Sequence, residues 1–254
     1  MSINNIKGLP VRKALILAAG FGTRLKPWTD KHPKALALVK GKSLLQRNIE
    51  YLQQYGIYDV IINVHHFADQ IIETVEVNNA WGSNITISDE TDEVLETGGG
   101  LKKAGWYFTT EEQFILMNAD VLTDLPLNEM IAYHTLHKAF ATLATADRTT
   151  SRYFLFDEEN NLCGWRNIQT GEEKGPVKNF AEDERRKVTQ KAFSGIHIIS
   201  TEILSLLNYE GKFSMVNVYL DLCKEHNIKF FDHSNFKFVD VGKPESLLRA
   251  EEMF

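Results

Sequence analysis

The chain has 254 residues, 43% of them hydrophobic and 24% charged, with a formal net charge of -6. That length suits one large domain with a single core, the acidic balance argues against a nucleic-acid partner, and no apolar run is long enough to span a membrane. The first residues, MSINNIKGLPVRK, carry no apolar targeting segment, and Cys163 and Cys223 have no metal-ligand spacing, so both read as free thiols in a reducing cytoplasm.

The first predicted element is a buried strand over 12–18, short, apolar and ending near Gly20 and Gly22. An apolar strand covered on both faces belongs to a parallel α/β sheet, where ligands bind beyond the carboxyl ends of the strands. After the glycines the chain turns basic: Arg24, Lys26, Lys31, Lys34, Lys40 and Lys42 stand against a single acid, Asp30. A cationic loop on an acidic chain points to a polyphosphate, with backbone N–H groups exposed by glycine and full charge from Arg and Lys. Two other phosphate motifs fail. Leu25 stands where a GxGxxG motif needs its third glycine, and Pro27 and Pro33 forbid the helix that a dinucleotide fingerprint requires. Gly41-Lys42-Ser43 resembles the end of a Walker A loop, but Leu36 occupies its first glycine position.

The pattern continues with a helix over 43–55, ended by Gly56, and a strand over 58–64, forming a βαβ unit with the first strand. His65 and His66 read as polar residues at a strand end. A helix over 67–77 and a strand over 84–88 follow. Gly98, Gly99 and Gly100 precede a short helical segment and offer a flat backbone surface to a planar base. A strand over 113–119 ends in Asp120, whose carboxylate at a central strand end calls for solvent, a partner or a hard cation. Asp124 is the expected cap of a helix over 127–138, with His134 and His137 on its solvated face. A strand over 139–146 leads to an antiparallel insertion over 148–191, with a charged loop at 182–187. Strand character returns over 191–199, a helix over 213–226 follows, and segments 228–232 and 236–239 read as paired strands. Pro244 opens a last helix over 245–253.

LAAGFGTR at 17–24 and HPKAL at 32–36 resemble the signature of the sugar-1-phosphate nucleotidyltransferases, with Trp28 and Ala35 at positions where the usual pattern has leucine and proline. The resemblance covers nearly the whole chain and extends to Asn118-Ala119-Asp120 and to DVGKPE at 240–245, where Lys243 stands for a threonine. ETGGG at 96–100 and FSGI at 193–196 look most like the short bacterial branch that uridylates N-acetylmuramic acid 1-phosphate. The Glu-Lys-Pro element that many relatives use on the sugar phosphate is absent from the sequence.

The resemblance implies an α/β fold with a Rossmann-like, mixed, mostly parallel sheet flanked by helices, and a small antiparallel acceptor-side insertion. The chain would be one domain, with about 1–147 binding nucleotide and about 148–254 binding sugar and supplying the second metal ligand. Transfer of a nucleotidyl group from an NTP, UTP first, to a sugar 1-phosphate would release pyrophosphate, with Mg²⁺ on Asp120 and Asp240. The alternatives are GTP or CTP with a mannose or heptose phosphate, or a catalytically silent sugar-nucleotide sensor. Arg24, Lys34 and Asp120 would carry the chemistry. Leu17, Ala18, Ala19, Gly20, Gly22, Thr23, Thr97, Gly98, Gly99 and Asn118 would hold the nucleotide, and Ser194 and Gly195 the sugar. The expected assembly is a monomer or small homo-oligomer.

Overall fold

The computed structural model describes residues 11–254. The N-terminal stretch read as free of a targeting segment lies largely outside them. The first half runs β1 (Lys13–Leu17), β2 (Leu38–Val39), β3 (Lys42–Ser43), α1 (Leu44–Gln54), β4 (Asp59–Val64), α2 (Ala68–Val77), β5 (Asn84–Asp89), α3 (Glu96–Ala104), β6 (Gln113–Asn118), β7 (Val121–Thr123), α4 (Leu127–Leu136) and β8 (Ala141–Ala146). The second runs β9 (Arg152–Phe156), β10 (Leu162–Asn167), β11 (Glu173–Lys174), α5 (Glu182–Arg186), β12 (Thr189–Ser200), α6 (Ile203–Leu206), α7 (Met215–Leu222), β13 (Ile228–Asp232), β14 (Phe238–Asp240) and α8 (Pro244–Met253).

Period-2 alternation builds two cores from one sheet. Ala14 and Ile16 of β1, Val60 and Ile62 of β4, and Ile115 and Met117 of β6 pack on one face. Leu15, Ile61, Phe114 and Leu116 pack on the other. Strands β6, β1, β4 and β5 are parallel neighbours. β12 runs antiparallel between β6 and β8, and β13 lies parallel to β8 at the far edge. This is the expected mixed, mostly parallel sheet. The amino-terminal part of β12, residues 189–191, pairs with β9, from which β10 and β11 extend antiparallel. The expected insertion is therefore an extension of the main sheet, ten strands in all.

α1 forms where its stripe predicts. Ser43 caps it, accepting the Gln46 N–H at 3.0 Å, while Leu44, Leu45, Ile49 and Leu52 are buried. Each such side chain contributes roughly 1.5–3 kcal/mol. From this helix Asn48 donates to the Ala119 carbonyl at 2.8 Å, and Tyr51 donates to the Leu125 carbonyl at 2.8 Å, so α1 pins the segment that follows β6.

Several expectations change. The three glycines lie inside α3, which begins before them at Glu96 and runs on to Ala104. β13 and β14 do not pair with each other; β14 pairs antiparallel with β7. Asp124 does not cap α4, since its Oδ1 accepts the Lys237 N–H at 2.6 Å. His134 is buried and bonded to Thr142 Oγ1 at 2.9 Å, because α4 turns that face onto β8. The charged run forms the exposed helix α5, with Arg185 held back by Glu173. Cys163 and Cys223 are free, and burial pushes their thiols up to about 12 and about 11, so neither is a thiolate at neutral pH.

Candidate active site

At the carboxyl end of β1 the chain leaves the sheet, and the Ala18 N–H is caught at 2.7 Å by Asn63 Oδ1 on β4. Gly22, at φ 61, caps a short 3-10 turn over Thr23–Leu25. Its carbonyl accepts the Leu25 N–H at 2.8 Å and the Thr29 hydroxyl at 3.0 Å. Leu25 is buried in a small third core with Val39, Leu44, Leu122, Val239 and Val241, which leaves Arg24 exposed on the cleft side of the turn. Lys34 opens a further turn, Lys34–Leu36, and its ammonium pairs with Asp120 Oδ2. Of the six cations in the basic loop, Arg24 and Lys34 line the cleft. Lys26 and Lys42 pair with Asp30 and Glu50 at the surface, and Lys31 and Lys40 are exposed.

The two acids meet through a ladder. Asp240, the last residue of β14, faces Val121, the first of β7, and the Val241 N–H donates to the Asp120 carbonyl at 2.8 Å. Beyond them Gly242 sits so close that a Cβ there would lie 3.0 Å from both Arg24 Nη2 and Asp240 Oδ1. Desolvation by the surrounding protein raises the Asp240 carboxyl above the usual carboxylate range, and the charge of Asp120 adds to it; Lys34, Arg24 and Arg148 pull the other way. Arg148 is held by the Phe193 carbonyl at 2.7 Å and lies over the Phe238 ring at 5.2 Å. Among the described residues no group of three or more His, Cys, Asp or Glu side chains forms a metal cage. Two mutually repelling carboxylates at a phosphate-binding edge are nonetheless a donor set that fits a hard divalent cation completed by substrate oxygens.

The cleft measures about 530 Å³, within the range of small-molecule sites. Of the residues that the resemblance assigns to the nucleotide and the chemistry, Leu17, Ala18, Ala19, Gly20, Gly22, Thr23, Arg24, Lys34, Thr97, Asn118 and Asp120 line it. Four expected contacts lie behind its wall. The Gly98 and Gly99 N–H groups are both taken by the Phe213 carbonyl, at 2.9 and 3.3 Å, and a Cβ on Gly98 would stand 2.4 Å from the Phe213 ring. These two glycines pack α3 against the segment before α7 and have no free N–H to offer a base. Ser194 is buried and bonded to His233 Nε2 at 2.8 Å, and Gly195 backs onto the Asn118 amide. Neither lines this cleft. Sequence reasoning passed over Phe21, Asn63, Val94, Glu96, Ser214 and Gly242, which do. Asn63 alone left a signal, as the one amide in an apolar strand.

Glycine backbone, two cations and two carboxylates gather at the carboxyl edge of a mostly parallel sheet, a set of groups with the chemistry to bind phosphate. The chain belongs to the nucleotidyl transferase family, whose model matches residues 13–254. It is 28% identical over 245 residues to the mannose-1-phosphate guanyltransferase of Saccharomyces cerevisiae, covering 95% of this chain and 64% of that protein. It is also 28% identical over 239 residues to the mannose-1-phosphate guanylyltransferase catalytic subunit beta of Drosophila melanogaster, covering 93% and 61%. The chain thus spans less than two thirds of these relatives' length. The crystal structure of HddC from Yersinia pseudotuberculosis complexed with GMP-PN matches with a TM-score of 0.74 at 27% identity, over 95% of this chain and 99% of that one. The structure of UDP-glucose pyrophosphorylase complexed with UDP-glucose matches in fold, with a TM-score of 0.75 at 18% identity, covering 95% and 97%.

Proposed function

We propose that the chain is a sugar-1-phosphate nucleotidyltransferase that uses GTP and a mannose-type hexose 1-phosphate. The observation that carries the reaction class is the grouping of Asp120, Lys34 and Arg24 on the wall of a nucleotide-sized cleft, with Asp240 beside them. The names of the guanylyltransferase relatives, and the GMP-PN in the HddC crystal structure, support a guanine nucleotide over the uridylyl transfer to N-acetylmuramate 1-phosphate expected from ETGGG and FSGI.

In this reading a phosphate oxygen of the sugar 1-phosphate attacks the α-phosphorus of GTP. A new P–O bond forms, the bond from the α-phosphorus to the bridging oxygen breaks, and pyrophosphate leaves with the electron pair. The nucleophile is already ionised, so the chain's task is alignment and charge neutralisation. Arg24 binds the departing pyrophosphate, and Lys34 offsets charge at the reacting phosphates. The glycine loop lets N–H groups approach the nucleotide without side-chain hindrance. Asp120 and Asp240 are the residues that would hold Mg²⁺, which when bound neutralises phosphate charge. The acceptor side belongs to the second half, about 148–254.

The test is pyrophosphate release with Mg²⁺ and a panel of NTPs and sugar 1-phosphates. GTP with mannose 1-phosphate is expected to give the highest kcat/KM, and Asp120→Ala to lose on the order of a hundredfold or more in kcat while its melting curve keeps its shape. A UTP preference would overturn the base assignment. Full activity in Asp120→Ala would overturn the role of the acid pair. Tight nucleotide-sugar binding without turnover would make the protein a sensor.

A further inference from the structure

Asn63 and Glu90 are both buried, at 2% and 0% exposure, and form one hydrogen-bonded unit in which Asn63 lines the cleft and Glu90 stands behind it. Asn63 Oδ1 accepts the Ala18 N–H at 2.7 Å, and its Nδ2 donates to Glu90 Oε1 at 2.8 Å. The Ala18 donor fixes the amide's orientation, since the reverse flip would set one donor against another. Glu90 is tied to the end of β4 by its own N–H on the Val64 carbonyl at 2.8 Å. Its chain then runs through Val94, Glu96 and Thr97, which line the same cleft as the glycine loop. The pair rests on α3 at Gly100, where a Cβ would stand 2.7 Å from Asn63 Nδ2 and 2.8 Å from Glu90 Oε1. No other side chain fits that position without parting the two.

We infer that Asn63 and Glu90 are positioning residues that tie Ala18, at the start of the glycine loop, to the segment carrying Val94, Glu96 and Thr97 and so set the gap that receives the nucleotide, with Gly100 providing the space in which they meet. The inference rests on the reading of this cleft as a nucleotide site. It accounts for the third glycine of the run, which neither touches the cleft nor packs on Phe213. The buried Asn63–Glu90 hydrogen bond also holds a unique geometry, because any slip leaves the Asn63 amide and Glu90 Oε1 unpaired.

An exchange of donor and acceptor tests it. Asn63→Asp keeps the acceptor for Ala18 but sets a second carboxylate oxygen against Glu90. Adding Glu90→Gln restores the contact with its polarity reversed and its shape unchanged. For Asn63→Asp, KM for GTP should rise about tenfold or more, as expected for one broken buried hydrogen bond, with kcat far less affected. Amide exchange at Ala18 should accelerate in the ligand-free protein. The double variant should return both quantities most of the way to wild type. If Asn63→Asp does not fold, the double variant should fold where the single one fails. A single variant that lowers only Tm, with KM and Ala18 exchange unmoved, would overturn the inference, as would a double variant no better than the single. Wild-type protein that binds no GTP would instead sink the nucleotide reading, and the Ala18 exchange measurements would still decide whether the pair holds the loop.

Discussion

Gly22 and Lys34 are packed against each other so closely that one methyl group would disturb the cradle. A Cβ on Gly22 would lie 2.9 Å from Lys34 Cβ and 3.0 Å from Thr29 Cγ2, at a φ of +61 that disfavours any other residue. Gly22→Ala should therefore cost about 1–2 kcal/mol in backbone strain alone. It should also push Lys34 from its place on Asp120, lowering kcat by roughly tenfold or more if that charge acts on the reacting phosphates. A methyl group on Gly20 would meet nothing within 4 Å, so Gly20→Ala should melt like wild type in the ligand-free state. Thermal unfolding and steady-state kinetics on the two variants check this; equal behaviour would mean that the packing onto Lys34 is slack. A run of cations stands out on an acidic chain, and the resemblance carried by LAAGFGTR and HPKAL picks Arg24 and Lys34 out of it. Asn63 was not legible, because a single amide in an apolar strand reads equally well as a strand end. Ser194 and Gly195 do not line this cleft, and the sequence could not have shown it, because a motif gives order along the chain and says nothing about which of its residues faces the cleft.

At the scale of elements, α3 and α7 cap each other beside the cleft wall. Thr97 Oγ1 accepts the Met215 N–H at 2.9 Å at the start of α7, while the Phe213 carbonyl accepts the Gly98 N–H at the start of α3. Gly98→Ala drives a methyl group into the Phe213 ring, and overpacking of this kind costs about 1–3 kcal/mol. Phe213→Leu, which removes the ring atoms in the way, should recover part of that loss in a double-mutant cycle read by urea unfolding. Strict additivity would mean that the two elements do not meet there. The strands and helices with strong periodicity were legible, since alternation and the 3.6 stripe report burial directly. The glycine run was read as lying outside a helix because glycine costs about 1 kcal/mol per helical position relative to alanine. Close packing against Phe213, Asn63 and Glu90 outweighs that preference. Pairing of β14 with β7 was not legible either. Chain proximity favours a hairpin with β13, but β13 joins β8 in the main sheet and leaves β14 to form the ladder that brings Asp240 to Asp120.

Across the whole molecule, acid should strike one half first. Three buried histidines bridge the β8, β12 and β13 region: His134 to Thr142, His197 to Tyr219 Oη at 2.6 Å, and His233 to Ser194. Burial lowers them from the ordinary value of 6.5 to about 4, about 3 and about 4. A depressed folded-state value means that the unfolded chain takes up protons first as pH falls below 6.5, so stability present at neutral pH is lost progressively down to about 4. Glu90 works the other way. Burial raises its carboxyl, outweighing the hydrogen bonds and charges that lower it, and raises that of Asp240 as well, so their contribution is present at low pH and lost as pH rises through their folded values, two groups against three. Burial raises Asp232 too, but Lys191 and Ser234 together outweigh it and hold the carboxyl low, so its loss comes only below the ordinary aspartate range. Tm should accordingly fall steeply between about pH 6.5 and about 4.5. The amides of β8, β12 and β13 should lose exchange protection before those of β1, β4 and β5. His197→Asn removes one titrating group, so its Tm should fall less steeply with pH even if it starts lower at neutral pH. A slope equal to wild type in that variant, or simultaneous loss of protection in both halves, would show that the acid sensitivity lies elsewhere.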